Sequence, residues 1–164
     1  HILDVYDAAM RYAKLEGISA EDTELLKMAA LFHDSGFIVK ADGHELISSG
    51  FAEKYLPDFG YSFNQIEKIK GMIMATRIPQ TPKNHLEQIL ADADLDYLGR
   101  TDFEEISNGL FEELKAENKI SDLNAWNKIQ VSFFEKHSYF TESAKRLRNE
   151  KKNINLEHIK SQLL

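Results

Sequence analysis

"AALFHDSGF", residues 29–37, joins an apolar run, Ala29, Ala30, Leu31 and Phe32, directly to a histidine and a carboxylate. Leu25, Met28, Ala29 and Phe32 recur at helical spacing, and Ser19, with Asp22 three residues on, gives that helix a start. Gly36 reads as its stop. Asp34 then stands at a helix C-terminus, where the macrodipole is negative and disfavours a carboxylate by a few tenths to about 1 kcal/mol. The apolar approach leaves such a group poorly hydrated, and a buried carboxylate needs a partner. A cation satisfies it, and so does a neighbouring Arg, Lys or backbone N–H.

Working outward, the rest of the chain keeps the helical period. A first helix runs from near His1, with Ile2, Val5, Tyr6, Ala9, Tyr12 and Ala13 on one face, and stops at Gly17. A third opens at Asp42, carries His44 and Glu45 in its first turn and ends before "LPDFGYS"; a fourth covers Gln65–Thr76. "RIPQTPKN" is a loop, because two prolines three residues apart cannot sit inside a helix. A fifth helix runs through "HLEQILADADLDYLG" to Gly99, and beyond it "TDFEEISNGLFEELKAENK", "SDLNAWNKIQVSFFEKHSYF", "TESAKRLRNEKKN" and "NLEHIKSQLL" are each helical by period. The spacing predicts an all-α fold, and the absence of repeats and linkers predicts one compact domain over residues 1–164.

A chain of 164 residues buries roughly 70% of its unfolded surface. Hydrophobic residues make up 43% and charged residues 29%, an ordinary composition for a folded chain. The net charge of −7 and pI near 5.4 argue against a nucleic-acid polymer as partner, because gripping a phosphate backbone needs a basic surface. No apolar stretch approaches the roughly 20 residues of a membrane span, and no signal-peptide pattern is visible. A cytoplasmic protein without a membrane partner is the expectation. With no cysteine, disulfides, thiolate catalysis and cysteine-ligated metal sites are excluded. Oligomeric state is left open.

Asp92, Asp94 and Asp96 share one segment, and an ideal-helix projection separates their faces. The apolar stripe is Leu86, Ile89, Leu90, Ala93 and Tyr97. Measured from its middle, Asp94 lies about 70° away, Asp96 about 90° and Asp92 about 130°. Asp94 is the carboxylate that points most inward, toward a cap, a salt bridge or a site. Among the histidines, His85 at a helix start and His158 in a charged terminal helix read as structural, and His137 after "FFEK" is ambiguous. His33 differs because it adjoins Asp34, and imidazole with carboxylate is a usable ligand pair for Mn, Fe, Ni, Mg or Zn.

The combination is more specific than its parts. His1 opening an amphipathic helix, "AALFHDSG", "GHELISSGFAEKYL" and "LEQILADADLDYLG" together resemble the HD-domain superfamily of metal-dependent phosphohydrolases over about the first 100 residues. The helices of 101–164 match no chemical motif and complete the fold. The resemblance implies an all-helical fold in which His1, His33, Asp34 and Asp94 hold a divalent metal. It also implies that His44, like a further histidine in many members, contacts substrate or a second metal. Several departures narrow the subclass. No GYP signature follows the pair, "HDSGFI" lacks the acidic pair of the guanosine-tetraphosphate hydrolases, and Thr76 and Arg77 stand where two-metal members often carry another histidine. One metal is therefore expected.

The implied reaction is hydrolysis of a small phosphate ester, a nucleotide above all, by metal-activated water. Asp34, His44 and Arg77 are its candidate catalytic residues. His44, Lys40 and Arg77 are candidates to bind substrate, with Arg100 a further cation and Asp92 and Asp96 candidates to orient ligands. Two alternatives stand beside it. A cyclic-nucleotide phosphodiesterase shares the metal set, and a non-catalytic helical sensor could keep the metal as a clip. The aromatic residues of the last helices are assigned to the core.

Overall fold

The computed structural model describes residues 1–163, and it is all-α. Its helices are α1 (Ile2–Leu15), α2 (Ala20–Phe32), α3 (His44–Tyr55), α4 (Phe63–Ala75), α5 (His85–Asp94), α6 (Phe103–Ala116), α7 (Leu123–Lys136) and α8 (Glu142–Ser161). Short 3-10 turns at Ser35–Ile38, Leu56–Phe59 and Asp96–Gly99 join some of them. No described helix is long and apolar enough to cross a membrane. The chain forms two compact units, His1–Leu95 and a second that begins at Asp96.

In the first unit the helix starts are written in side chains. Ser19 accepts from the Asp22 amide at 3.1 Å. Ser62 and Gln65 form a reciprocal capping box, so α4 opens at Phe63, two residues before the spacing places it. Asn84 accepts from the Glu87 amide at 3.0 Å and starts α5. Gly17 ends the first helical segment with φ +66°, a left-handed conformation that glycine adopts without a Cβ penalty. Helix α1 packs on α2 and α5, and α4 on α2, α3 and α5. Tyr12, Leu25, Leu26, Ile69, Met72, Ile73, Ile89 and Leu90 are the buried centre. Burying each large side chain contributes about 1.5–3 kcal/mol.

In the second unit a polar clamp holds α8 against the turn that starts it. Arg148 Nε and Nη2 donate to the two carboxylate oxygens of Asp96 at 2.7 and 3.0 Å. Asn155 Nδ2 donates to the carbonyls of Leu98 at 2.9 Å and Arg100 at 3.0 Å. Gly99 lets the two backbones meet, because a Cβ there would stand 2.6 Å from the Arg148 carbonyl oxygen. A buried network ties α6 to α7, in which the Ser107 hydroxyl donates to Gln130 Oε1 at 2.6 Å and the Trp126 indole donates to Ser107 at 3.2 Å. Phe103 and Phe134 pack edge to face at 5.1 Å.

Three readings of the spacing are corrected. The fifth helix ends at Asp94 rather than Gly99: Leu95 leaves helical geometry, at φ −105° and ψ 17°, and a separate 3-10 turn follows. The segments 141–153 and 155–164 are not two helices, because α8 runs unbroken through Asn155, whose amide bonds to Leu98 and Arg100 outweigh its weak helix propensity. Asp96, a candidate to orient a ligand, instead accepts from Arg148 through both its oxygens and holds α8.

Candidate metal centre

Three helix ends of the first unit converge. His1 is the residue before α1, His33 and Asp34 follow the last turn of α2, and Asp94 is the last residue of α5. Because α1 starts where α2 and α5 finish, two helix C-termini present their negative dipole ends here. With two carboxylates in the same place, the site is built to attract a cation.

The four side chains alternate around a ring. His1 Nε2 lies 3.0 Å from Asp94 Oδ1 and 3.5 Å from Asp34 Oδ2. His33 Nε2 lies 3.4 Å from each of the same two oxygens. Ligands about 2.1 Å from one ion stand about 3.0 Å apart at right angles and about 4.2 Å apart in trans, so these four edges suit a shared ion. Donor atoms of His1, His33 and Asp94 all lie within 4.8 Å of one another.

His33 is the most constrained member. It is fully buried, and its Nδ1–H donates to the Ala30 carbonyl at 2.7 Å, which turns the Nε2 lone pair toward the ring. That Nε2 is buried without a hydrogen-bond partner. A buried polar atom left unpaired costs about 1–3 kcal/mol, and a metal ion offsets that cost. The residues therefore fit a divalent cation. Two imidazoles and two carboxylates suit Mn, Fe, Ni, Zn or Mg rather than a thiophilic ion.

The electrostatics point the same way. Burial pulls the His33 imidazole down, but the close approach of the Asp94 carboxylate, with the charge of Asp34, outweighs it and raises its pKa. Burial pushes the Asp34 carboxyl up; His33 opposes this, and Asp94 adds to it. Protons and a cation compete for the same nitrogen and oxygen atoms, so loading weakens as pH falls.

His44 joins from α3. Its Nδ1–H donates to the Ala41 carbonyl at 3.0 Å, and its Nε2 stands 3.2 Å from Asp34 Oδ1, the oxygen turned away from His1 and His33. Two neighbours that the sequence did not single out hold this ring: Phe37 stacks on it at 3.9 Å, and the buried Glu45 carboxylate lies 3.7 Å from its Nε2. Gly36 makes the approach possible. Its φ is not left-handed, so it is not a helix stop; a Cβ here would lie 2.1 Å from the His44 carbonyl oxygen. The Gly36 N–H donates to the buried Ser48 hydroxyl at 2.8 Å, which fixes the same contact. Gly36→Ala should therefore push α3 away, destabilise the protein by about 1–3 kcal/mol and impair any step that uses His44. Chemical denaturation and the turnover of the folded fraction measure both.

The remaining sequence candidates are not members of the ring. Lys40 and Arg77 are exposed, and neither makes an ion pair among the described residues. Arg100 is engaged by Asp102. Asp92 is wholly buried within α5. His85 pairs with Glu16 at 3.2 Å, a structural contact at the start of α5.

Comparison with known proteins gives this cluster a family. No curated protein matches the chain. Its fold is similar to the crystal structure of a predicted HD superfamily hydrolase from an uncultured Thermotogales bacterium, with a TM-score of 0.62 at 20% identity over 98% of this chain and 76% of that one. The profile of the HD domain matches residues 1–96, a stretch that holds every residue of the ring and most of the chain's length, and the chain therefore belongs to the HD-domain family.

Proposed function

We propose that this protein is a one-metal phosphohydrolase that cleaves a small phosphate ester, a nucleotide above all, with His1, His33, Asp34 and Asp94 as the metal ligands. The observation that carries the reading is the buried, unpartnered His33 Nε2 facing two carboxylates at 3.4 Å. A divalent ion bound there supplies a Lewis acid for the phosphoryl oxygen and acidifies water to a nucleophile near neutral pH.

The chain's own groups do the rest. Asp34 divides its oxygens: Oδ2 faces His1 and His33, and Oδ1 faces His44. It links the metal ligands to His44. His44, steadied by Ala41, Phe37 and Glu45, turns Nε2 toward Asp34 and serves as the general acid for the leaving oxygen of the ester. The negative dipole ends and paired carboxylates repel a free phosphate, so cations must balance it. Arg77 and Lys40 make no ion pair among the described residues and serve that purpose.

The reading is tested by phosphate release from nucleoside monophosphates, with Mn or Ni supplied, while ring opening of a 3′,5′-cyclic nucleotide to its monophosphate is followed in parallel by chromatography. Turnover of the monophosphates supports it; hydrolysis of the cyclic substrate alone points to a phosphodiesterase. Metal-loaded protein that turns over neither contradicts it and leaves a non-catalytic metal domain. Arg77→Ala is expected to raise KM about tenfold or more with little change in kcat, the signature of lost phosphate binding. Steady-state kinetics on the best monophosphate measures it.

A further inference from the structure

Helices α7 and α8 border a cavity of about 450 Å³ in the second unit, lined by Phe134, His137, Tyr139, Asn149, Lys152 and Leu156 among others. It uses none of the residues of the metal ring. Asn149, Lys152, Asn153 and Leu156 recur at helical spacing, so one face of α8 forms a wall.

Lys152 is the anomaly. It is 7% exposed, and no carboxylate among the described residues pairs with it. Its ammonium donates to the His137 carbonyl and lies 6.0 Å from the Tyr139 ring centre. Neither contact supplies a countercharge, and a buried unpaired charge is costly. The acidic group at the wall does not relieve it, because Glu135 pairs with Lys160 at 3.1 Å. His137 adds a second deficit. Both its ring nitrogens are buried with no hydrogen-bond partner. Burial and the nearby Lys152 charge push this imidazole down to about 4, so at neutral pH it is uncharged and keeps one N–H to give.

A cation without a countercharge beside an ungiven N–H is the half of a contact that an oxyanion completes. The cavity lies within the range of small-molecule sites, about 300–1,000 Å³, which leaves room for more than a bare oxyanion. Phe134 and Tyr139 offer that extra volume an apolar wall.

We propose that this cavity binds a small organic anion, whose carboxylate or phosphate oxygens accept from the Lys152 ammonium and a His137 ring N–H while its apolar body packs on Phe134 and Tyr139. Nothing in this inference depends on the metal ring or on its catalysis.

The test titrates benzoate, phenyl phosphate and inorganic phosphate into the full-length, metal-depleted protein while recording histidine ring resonances by NMR. The His137 signals are assigned with His137→Gln. Benzoate or phenyl phosphate is expected to shift them saturably, the stronger of the two naming the headgroup, and inorganic phosphate is expected to bind more weakly. Lys152→Met should weaken that binding at least about tenfold. This variant keeps the apolar stem but gives up the bond to the His137 carbonyl, so its unfolding midpoint is recorded beside its affinity and binding is compared only where the variant is folded, which separates lost binding from lost fold. Unmoved His137 signals with all three probes, or equal affinity in Lys152→Met, would overturn the proposal. A shift confined to His33 or His44 would also overturn it, because the anion then binds at the metal ring alone.

Discussion

Asp34→Ala is expected to lower phosphate-ester hydrolysis by more than about 100-fold and yet leave the metal-depleted protein at least as stable as the wild type. The first half follows from its position. Loss of a group that merely orients a ligand costs about 10–100-fold, and Asp34 faces His1, His33 and His44 at 3.5, 3.4 and 3.2 Å. The second half follows from its burial, which raises the carboxyl against its own ionisation, with the Asp94 charge adding to the effect. Without a cation, this carboxylate is a burden on the fold. A carboxylate kept for structure would give the opposite pair of results, with stability lost and the rate per folded molecule retained. Steady-state kinetics with metal, and thermal unfolding in chelator, separate the two.

Asp96→Ala is expected to do the reverse. Its side chain is 2% exposed and accepts two hydrogen bonds from Arg148, itself 18% exposed. Removing one partner strands the other, and breaking a buried pair costs about 3–5 kcal/mol. The residual exposure of Arg148 puts the loss near the lower end, about 3 kcal/mol. The clamp also carries Gly99 and Asn155, so the attachment of α8 to its turn should loosen with it. Urea unfolding should show a lower midpoint at an unchanged slope, while metal bound per folded chain stays at the wild-type level. Two aspartates two residues apart, Asp94 and Asp96, should thus report on different properties of the molecule.

That contrast also marks how far the sequence could be read. An ideal-helix projection points Asp94 inward, and its Oδ1 does lie 3.0 Å from His1 Nε2. The same projection assigned Asp96 a face on a helix that has already ended, because spacing carries no information on where Leu95 leaves helical geometry. The apolar faces of α1, α2 and α5, the caps at Ser19 and Gly17 and the proline loop before His85 are local signals, and they survive in the fold. Gly36 shows the limit. A glycine after a helical run has the pattern of a stop, while its actual requirement is steric: a Cβ there would stand 2.1 Å from the His44 carbonyl oxygen, eight residues away. Long-range contacts of that kind are invisible to a periodic pattern. So are Phe37 and Glu45 around His44, and the Asn155 amide, which keeps α8 continuous through a weak helix former. Nothing in "KRLRNEKKN" singles out Lys152; packing buries it with no carboxylate partner among the described residues.

The most direct measurement is the metal content of the protein purified without an affinity column, by elemental analysis of wild type beside His33→Ala. His33 is the choice because its Nε2 makes no hydrogen bond among the described residues, so its loss removes a ligand without breaking a hydrogen bond made by that atom. The account predicts about one divalent ion per wild-type chain, the number a single four-residue ring can hold, and a loss of most of it in the variant. A wild-type protein that carries no divalent metal, and takes up none when Mn or Ni is offered at neutral pH, would contradict it.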